Sequence, residues 1–372
     1  MDANYAFELN SSSREFHKRP ISIPKLETGQ VLIEVTCCTI CGSDLHTFCG
    51  RRDAPEGCVL GHEIIGKVAA WGGSSTPSDF HGSPLAKGDR VTWAMAVGCG
   101  ECFFCNRKMG QKCESIFKYG HEPRGTGAPT GGLSDYCVLV PGTPIFRVPD
   151  SLSDEVACPA NCATATVSAA TRLIAETHRI EGSNVLVIGA GMLGLTATAQ
   201  LTDAKAANVV VADVDSDRLA LARKFGATEC VSTSNKADLE NLTGSLTQQR
   251  GFDIVLDFAG VHAAVLTALD SVRTGGCVLL AGSVFKTEPI PLLPETVVRK
   301  MLTIRGLHNY LAEDLAFGLR FLESAQTRYP FESLVSRTFL LDETQDAFEF
   351  ARDQRPIRVA VRPSGNVIQN DD

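Results

Sequence analysis

The apolar run Asn184-Val-Leu-Val-Ile188 leads directly into Gly189-Ala-Gly191-Met-Leu-Gly194, and a helical stretch follows. A continuous apolar run of this length suits a strand buried on both faces of a parallel sheet. Gly-x-Gly-x-x-Gly alone is weak evidence; between a strand and a helix it becomes a dinucleotide-binding turn. The first glycine permits the tight turn, the second lets a pyrophosphate approach the backbone, and the third lets helix and strand pack. Phosphate then sits on the helix N-terminus. Leu193, inside the turn, joins the expected cofactor-binding set. Asp213 closes the next apolar run, at the spacing where a carboxylate accepts hydrogen bonds from an adenosine ribose. A 2′-phosphate there would meet like charge, so NAD is expected over NADP. Arg218 is placed to lie along the adenine edge, although a solvated surface arginine explains it equally well.

Further apolar runs at Asp253-Ile-Val-Leu-Asp257, Gly276-Cys-Val-Leu-Leu-Ala-Gly282 and Leu302-Thr-Ile-Arg-Gly306 alternate with helix-like segments. That alternation predicts an α/β domain with a doubly wound parallel sheet. Before about residue 160 the texture is β-rich: Val31-Leu-Ile-Glu-Val-Thr36, Glu63-Ile-Ile-Gly-Lys-Val68 and Asp89-Arg-Val-Thr-Trp93 read as strands. Past residue 305 the pattern loosens, ending in a helix near Ala347 and a strand at Ile357-Arg-Val-Ala-Val361. A length of 372 residues favours two domains. The net charge of −8, without a long basic run, argues against nucleic-acid or anionic-membrane partners. No signal peptide is visible, and the most apolar stretch, Val185 to Leu201, holds the nucleotide motif, so a membrane span is the weaker reading. A cytoplasmic location is expected.

Fourteen cysteines invite a metal reading. Cys99, Cys102, Cys105 and Cys113 follow a C-x2-C-x2-C-x7-C spacing, suited to one tetrahedral zinc closed by four thiolates. Such a shell leaves no room for substrate, so this zinc would brace a loop. Paired disulfides fit poorly in a reducing compartment. An iron–sulfur cluster is harder to exclude on spacing alone. A second set lies in three short motifs: Cys41-Gly-Ser43-Asp44-Leu-His46, Gly61-His62-Glu63 and Asn161-Cys162. Cys41, His62 and Cys162 offer one imidazole and two thiolates, the ligand type of a catalytic zinc with an open fourth position.

Together these motifs, in this order, resemble the medium-chain zinc-dependent alcohol dehydrogenases. The resemblance implies a GroES-like catalytic domain, residues 1–163 completed by 305–372, interrupted by a Rossmann domain at 164–304. It implies two zincs per chain, a homodimer or homotetramer, and a small alcohol or aldehyde as substrate. Asp44 resembles the acid that orients the ligand histidine, and Glu63 the carboxylate that approaches zinc during ligand exchange. Thr166 resembles the residue beside the nicotinamide, and Arg358 a pyrophosphate-binding arginine. Gly42 stands where many relatives place a phosphate-contacting base. Polyol-oxidising relatives usually have glutamate as third ligand, so Cys162 argues mildly against that branch. Zinc as Lewis acid can lower a hydroxyl pKa from about 15.7 to about 7, roughly 12 kcal/mol. Ser43 is then placed to take the alcohol proton and His46 to pass it to solvent. The alternatives are that Ser43 caps a helix and His46 lines a cleft.

Relative to these motifs, Met95, Lys118 and Leu307 to Asn309 should lie near the alcohol. Lys118, His121 and Arg124 are expected to face an anionic group, with His308 and Asn309 adding polar contacts. This segment also resembles a subgroup associated with phosphonate catabolism, which implies a polar, phosphonate-bearing alcohol or aldehyde. Solvated loop charges are the plain alternative.

Overall fold

The computed structural model describes residues 4–122 and 128–363; Arg124 lies outside them. The chain divides into two compact units, one running through Cys162 and including 311–323 and the segment from 331 onward, the other formed by 163–310 and 324–330. The predicted return point at 305 therefore moves to 311. Thr303–Gly306 is the reason: it is the last strand of the parallel sheet, and Leu307 N–H still donates to Leu280 C=O at 2.9 Å. Residues 324–330 stay with the same unit because Arg328 and Tyr329 both bind Asp203, and Tyr329 stacks on Phe225.

The second unit is built on six parallel strands, numbered in chain order: β1 (Asn184–Ile188), β2 (Asn208–Asp213), β3 (Glu229–Ser232), β4 (Phe252–Asp257), β5 (Val272–Leu280) and β6 (Thr303–Gly306). Their spatial order is β3-β2-β1-β4-β5-β6, the doubly wound arrangement with its switch point between β1 and β4. Val185, Leu186, Val187, Val210, Val211, Ile254 and Val255 are fully buried, as an apolar strand between two helical layers must be.

In the first unit, strands Ile145–Arg147, Arg90–Trp93, Glu63–Trp71, Val31–Thr39, Arg358–Arg362 and Val335–Leu340 lie side by side, and Tyr136–Leu139 also pairs with Val31–Thr39. Register matters here. Thr39 sits opposite both Glu63 and Ala360, so the late strand that carries Arg358 runs beside the early strand that leads to Cys41. Helix α1 (Gly42–Phe48) follows at once. A hairpin of Asn4–Asn10 and Glu15–Ile21 covers the core with Phe7 and Leu9.

Candidate active site

Cys41 is the N-cap of α1, and Asp44 secures that end by accepting the Cys41 N–H at Oδ2, 3.0 Å. Its other oxygen, Oδ1, lies 3.1 Å from His62 Nδ1. Asp44 is fully buried, so this bond fixes the imidazole and leaves Nε2 turned away from it. Nε2 meets Cys162 Sγ at 3.3 Å, and Cys162 Sγ meets Cys41 Sγ at 3.9 Å. A tetrahedral ion about 2.3 Å from sulfur and 2.0–2.1 Å from nitrogen would set nitrogen and sulfur roughly 3.6 Å apart and the two sulfurs roughly 3.8 Å apart. The residues present therefore fit a single zinc. The Cys41 thiol is held well below its usual range, first by the hydrogen bond from Cys162, with Arg358 and His62 also contributing against burial.

Cys162 arrives on a short 3-10 turn pinned to the backbone of the histidine segment. Asn161 Nδ2 donates to the His62 and Trp93 carbonyls at 2.9 and 3.1 Å, and Cys158 Sγ to the Glu63 carbonyl at 3.1 Å. Sequence reasoning assigned Cys158 no part and Asn161 none beyond its place before Cys162.

Glu63 lies within reach of the other three ligand atoms. Its oxygens are already engaged: Oε2 accepts from Thr39 Oγ1 at 2.6 Å and Arg358 Nε at 2.9 Å, and Oε1 from Arg358 Nη2 at 2.9 Å. Arg358, expected on a pyrophosphate, has a different occupation. It is 6% exposed, and its guanidinium grips a fully buried carboxylate beside two thiols, where a counter-charge is needed. Ser43 Oγ stands 3.5 Å from His62 Nε2 and does not cap α1. His46 is half-buried three residues further on, its pKa lowered by burial and then by Arg51.

The second cysteine set is also assembled. Sγ atoms of Cys99, Cys102, Cys105 and Cys113 all lie within 4.8 Å of one another. A four-iron cluster would hold its thiolates farther apart than a single ion, so the spacing favours one metal. The Cys113 thiol is brought down to about 6, chiefly by the Cys99 backbone N–H at 3.2 Å. None of the fourteen cysteines forms a disulfide.

On the nucleotide side, Gly189 has φ +97°, and a Cβ there would press on Ala259 N at 3.0 Å. Around Gly191 a Cβ would meet nothing within 4 Å, the open space a pyrophosphate needs; at Gly194 it would collide with Gly189 O. Gly191 caps the helix Met192–Asp203, on whose first turn Leu193 is partly exposed. Asp213 accepts from Ala190 N at 2.6 Å and Asp215 N at 3.0 Å, so it also braces the glycine turn. Arg218 is near Asp215 at 3.8 Å, and Thr166 is partly exposed on the helix Ala163–Ala175. Of the expected pocket, Met95 and Lys118 come together, since Met95 C=O accepts Tyr119 N–H and Ala96 pairs with Lys118. His308, exposed, and Asn309, at φ +63°, belong to the nucleotide unit.

Two families of sequence models match the chain: an alcohol dehydrogenase GroES-like domain over residues 27–150, and a zinc-binding dehydrogenase over 193–324. Sorbitol dehydrogenase of Bacillus subtilis is 31% identical over 346 residues, 91% of each chain. An L-threonine 3-dehydrogenase of Anaeromyxobacter is 29% identical, covering 92% of this chain and 93% of its own. An alcohol dehydrogenase structure from Thermotoga maritima superposes with a TM-score of 0.91 at 25% identity, over 98% of this chain and 100% of that one. The chain belongs to the medium-chain zinc-dependent alcohol dehydrogenase family. It is an oxidoreductase acting on CH–OH donors. Among the described residues no helix is long and apolar enough to cross a membrane.

Proposed function

We propose that this chain holds two zincs, one catalytic and one structural, and uses NAD to interconvert a polar alcohol with its aldehyde or ketone. The convergence of Cys41, His62 and Cys162, with Asp44 behind the histidine, carries the reading. Zinc bound there supplies Lewis acidity that lowers the pKa of the substrate hydroxyl. Ser43, beside His62 Nε2, takes the proton, and His46, its pKa lowered by burial and then by Arg51, passes it outward. Glu63, within reach of the ligand atoms, serves ligand exchange. Thr166 and Leu193 flank the cofactor. Cysteines 99, 102, 105 and 113 brace their loop. A reducing cytoplasm would keep the six cysteines of these two metal sets available as thiolates.

The test is reduced-nicotinamide absorbance from zinc-loaded protein with NAD and a panel of neutral, polyol and acidic alcohols. Metal analysis should return two zincs per chain. Oxidation of sorbitol or threonine alone would favour instead a sugar, polyol or threonine dehydrogenase using the same zinc, which the named relatives suggest. NAD should outperform NADP by at least ~10-fold, and Asp213→Ser should narrow that ratio, since the carboxylate that repels a 2′-phosphate is gone. An unchanged ratio would remove Asp213 from cofactor choice.

Val298 and Met301, 73% and 75% exposed, immediately precede edge strand β6. A second copy of the chain is the proposed cover, giving a homodimer that can pair further into a tetramer. Met301→Glu should shift the light-scattering mass toward the monomer; an unaltered mass would move the interface elsewhere.

A further inference from the structure

A cluster of bases stands beside the zinc ligands, and nothing in the proton or hydride chemistry uses it. The segment Phe117 to Glu122 is pressed against the ligand histidine: a Cβ on Gly120 would meet Gly61 O at 2.6 Å and His62 N at 3.1 Å. The segment cannot drift. Gly120 N–H donates to Thr130 C=O at 3.0 Å, Phe117 and Lys118 pair with Val97 and Ala96, and fully buried Tyr119 hydrogen-bonds Thr143 through its hydroxyl at 2.6 Å. This fixes the His121 ring 5.1 Å from the His62 ring, centroid to centroid. Arg52 Nη1 faces His121 Nε2 at 3.5 Å, where arginine can only donate.

Arg52 thus lies one side chain away from a zinc ligand, and Lys118 is near enough for its charge to act on His121. Among the described residues neither Arg52 nor Lys118 has a carboxylate within ion-pair distance. Glu122, the acid whose charge acts on Lys118, turns Oε1 to the Lys118 backbone N–H at 3.2 Å. Lys118 is half-buried, and burial, then the charges of Arg52 and Lys112, push its pKa down. The strand pairing fixes the Lys118 backbone beside these neighbours, and its side chain stays half-buried where a lysine that merely solvated a loop would extend into water.

We propose that Arg52 and Lys118 form an oxyanion subsite that grips an acidic group, a carboxylate or a phosphonate-type group, on the substrate alcohol. It rests on the dehydrogenase reading above and narrows its substrate to short hydroxy acids. Arginine contributes the planar fork that matches oxyanion geometry, and lysine a point charge. Arg52 is the specificity residue that the motifs did not reveal.

The experiment compares wild type, Arg52→Ala, Arg52→Lys and Lys118→Ala on 1,3-propanediol, 3-hydroxypropionate and 2-hydroxyethylphosphonate, with zinc-loaded enzyme and NAD. In parallel, inorganic phosphate is titrated calorimetrically into each protein. Both alanine variants should raise KM for the two acids by ~10- to 100-fold, with a far smaller change for the diol and for NAD. Arg52→Lys should recover part of that loss, keeping the charge without the fork. Phosphate binding should weaken in the same order. A preference between the two acids tells carboxylate from phosphonate. Equal losses on diol and acids would overturn the subsite, as would a rise confined to the KM for NAD, which would assign the cations to cofactor phosphate. If the diol is turned over but phosphate never binds, the dehydrogenase reading stands and the subsite falls. If phosphate binding depends on Arg52 and Lys118 while no alcohol reduces NAD, the subsite stands and the dehydrogenase reading falls.

Discussion

Cys41→Ser is expected to abolish turnover to within a residual ~10⁻³ of wild type and to drop zinc content from two per chain to one. The magnitude follows from what a bound zinc contributes: roughly 12 kcal/mol of hydroxyl acidification, of which even a quarter is more than a hundredfold in rate. Serine is smaller, and its hydroxyl is far less acidic than this thiol, whose pKa the Cys162 hydrogen bond, then Arg358 and His62, hold well below its usual range. The remaining metal should stay in the four-cysteine loop, whose sulfurs converge independently. Asp44→Asn makes a graded companion. It keeps the shape but weakens the hold on His62 Nδ1 and on the Cys41 N–H, so zinc affinity should fall ~10- to 100-fold. Metal analysis on dialysed protein, alongside the NAD assay, checks both. Full activity in Cys41→Ser would mean the chemistry lies elsewhere.

Both metal sets, the glycine turn and the parallel strands were legible because each depends on local spacing or on burial on both faces. Asn184 to Ile188 could hardly be anything but a central strand, and Gly189, Gly191 and Gly194 each meet the steric demand expected of them. What escaped was what depends on partners far away in the chain. Glu15–Ile21 reads Glu-Phe-His-Lys-Arg-Pro-Ile, mostly polar and exposed, so no alternation marks it; its partner strand and the packing of Phe16 on Phe48 and Phe348 hold it in place. The helix Ala312–Ala325 carries Gly318 in its interior, which weakens its propensity, and it is held through buried Leu315, Leu319 and Leu322. In the site, Arg52 and Arg358 were hidden for the same reason. Nothing near Arg52 in the sequence points to His121, and nothing near Arg358 points to Glu63, 295 positions earlier. The two meet because Thr39 is flanked by both strands. A charge whose partner is set by sheet register leaves no local trace.

That register makes Arg358→Ala the second large effect, this time on stability. Arg358 and Glu63 are 6% and 0% exposed and joined by two hydrogen bonds of 2.9 Å. A zinc at the site would offset the two thiolates, so the carboxylate still needs its own counter-charge. Removing the guanidinium leaves that carboxylate buried with Thr39 alone, and breaking a buried pair from one side costs about 3–5 kcal/mol. For a protein of this size the midpoint of thermal unfolding should fall by about 4–6 °C. The isosteric Glu63→Gln change separates charge from packing. It should lose less than Arg358→Ala, and in the double variant it should recover a good part of the arginine's loss, because no unpaired anion remains. Scanning calorimetry on all four proteins, each loaded with zinc, measures the coupling directly. Additive losses in the double variant would mean that Arg358 holds its strand by packing, and that Glu63 draws its tolerance for burial from the metal site.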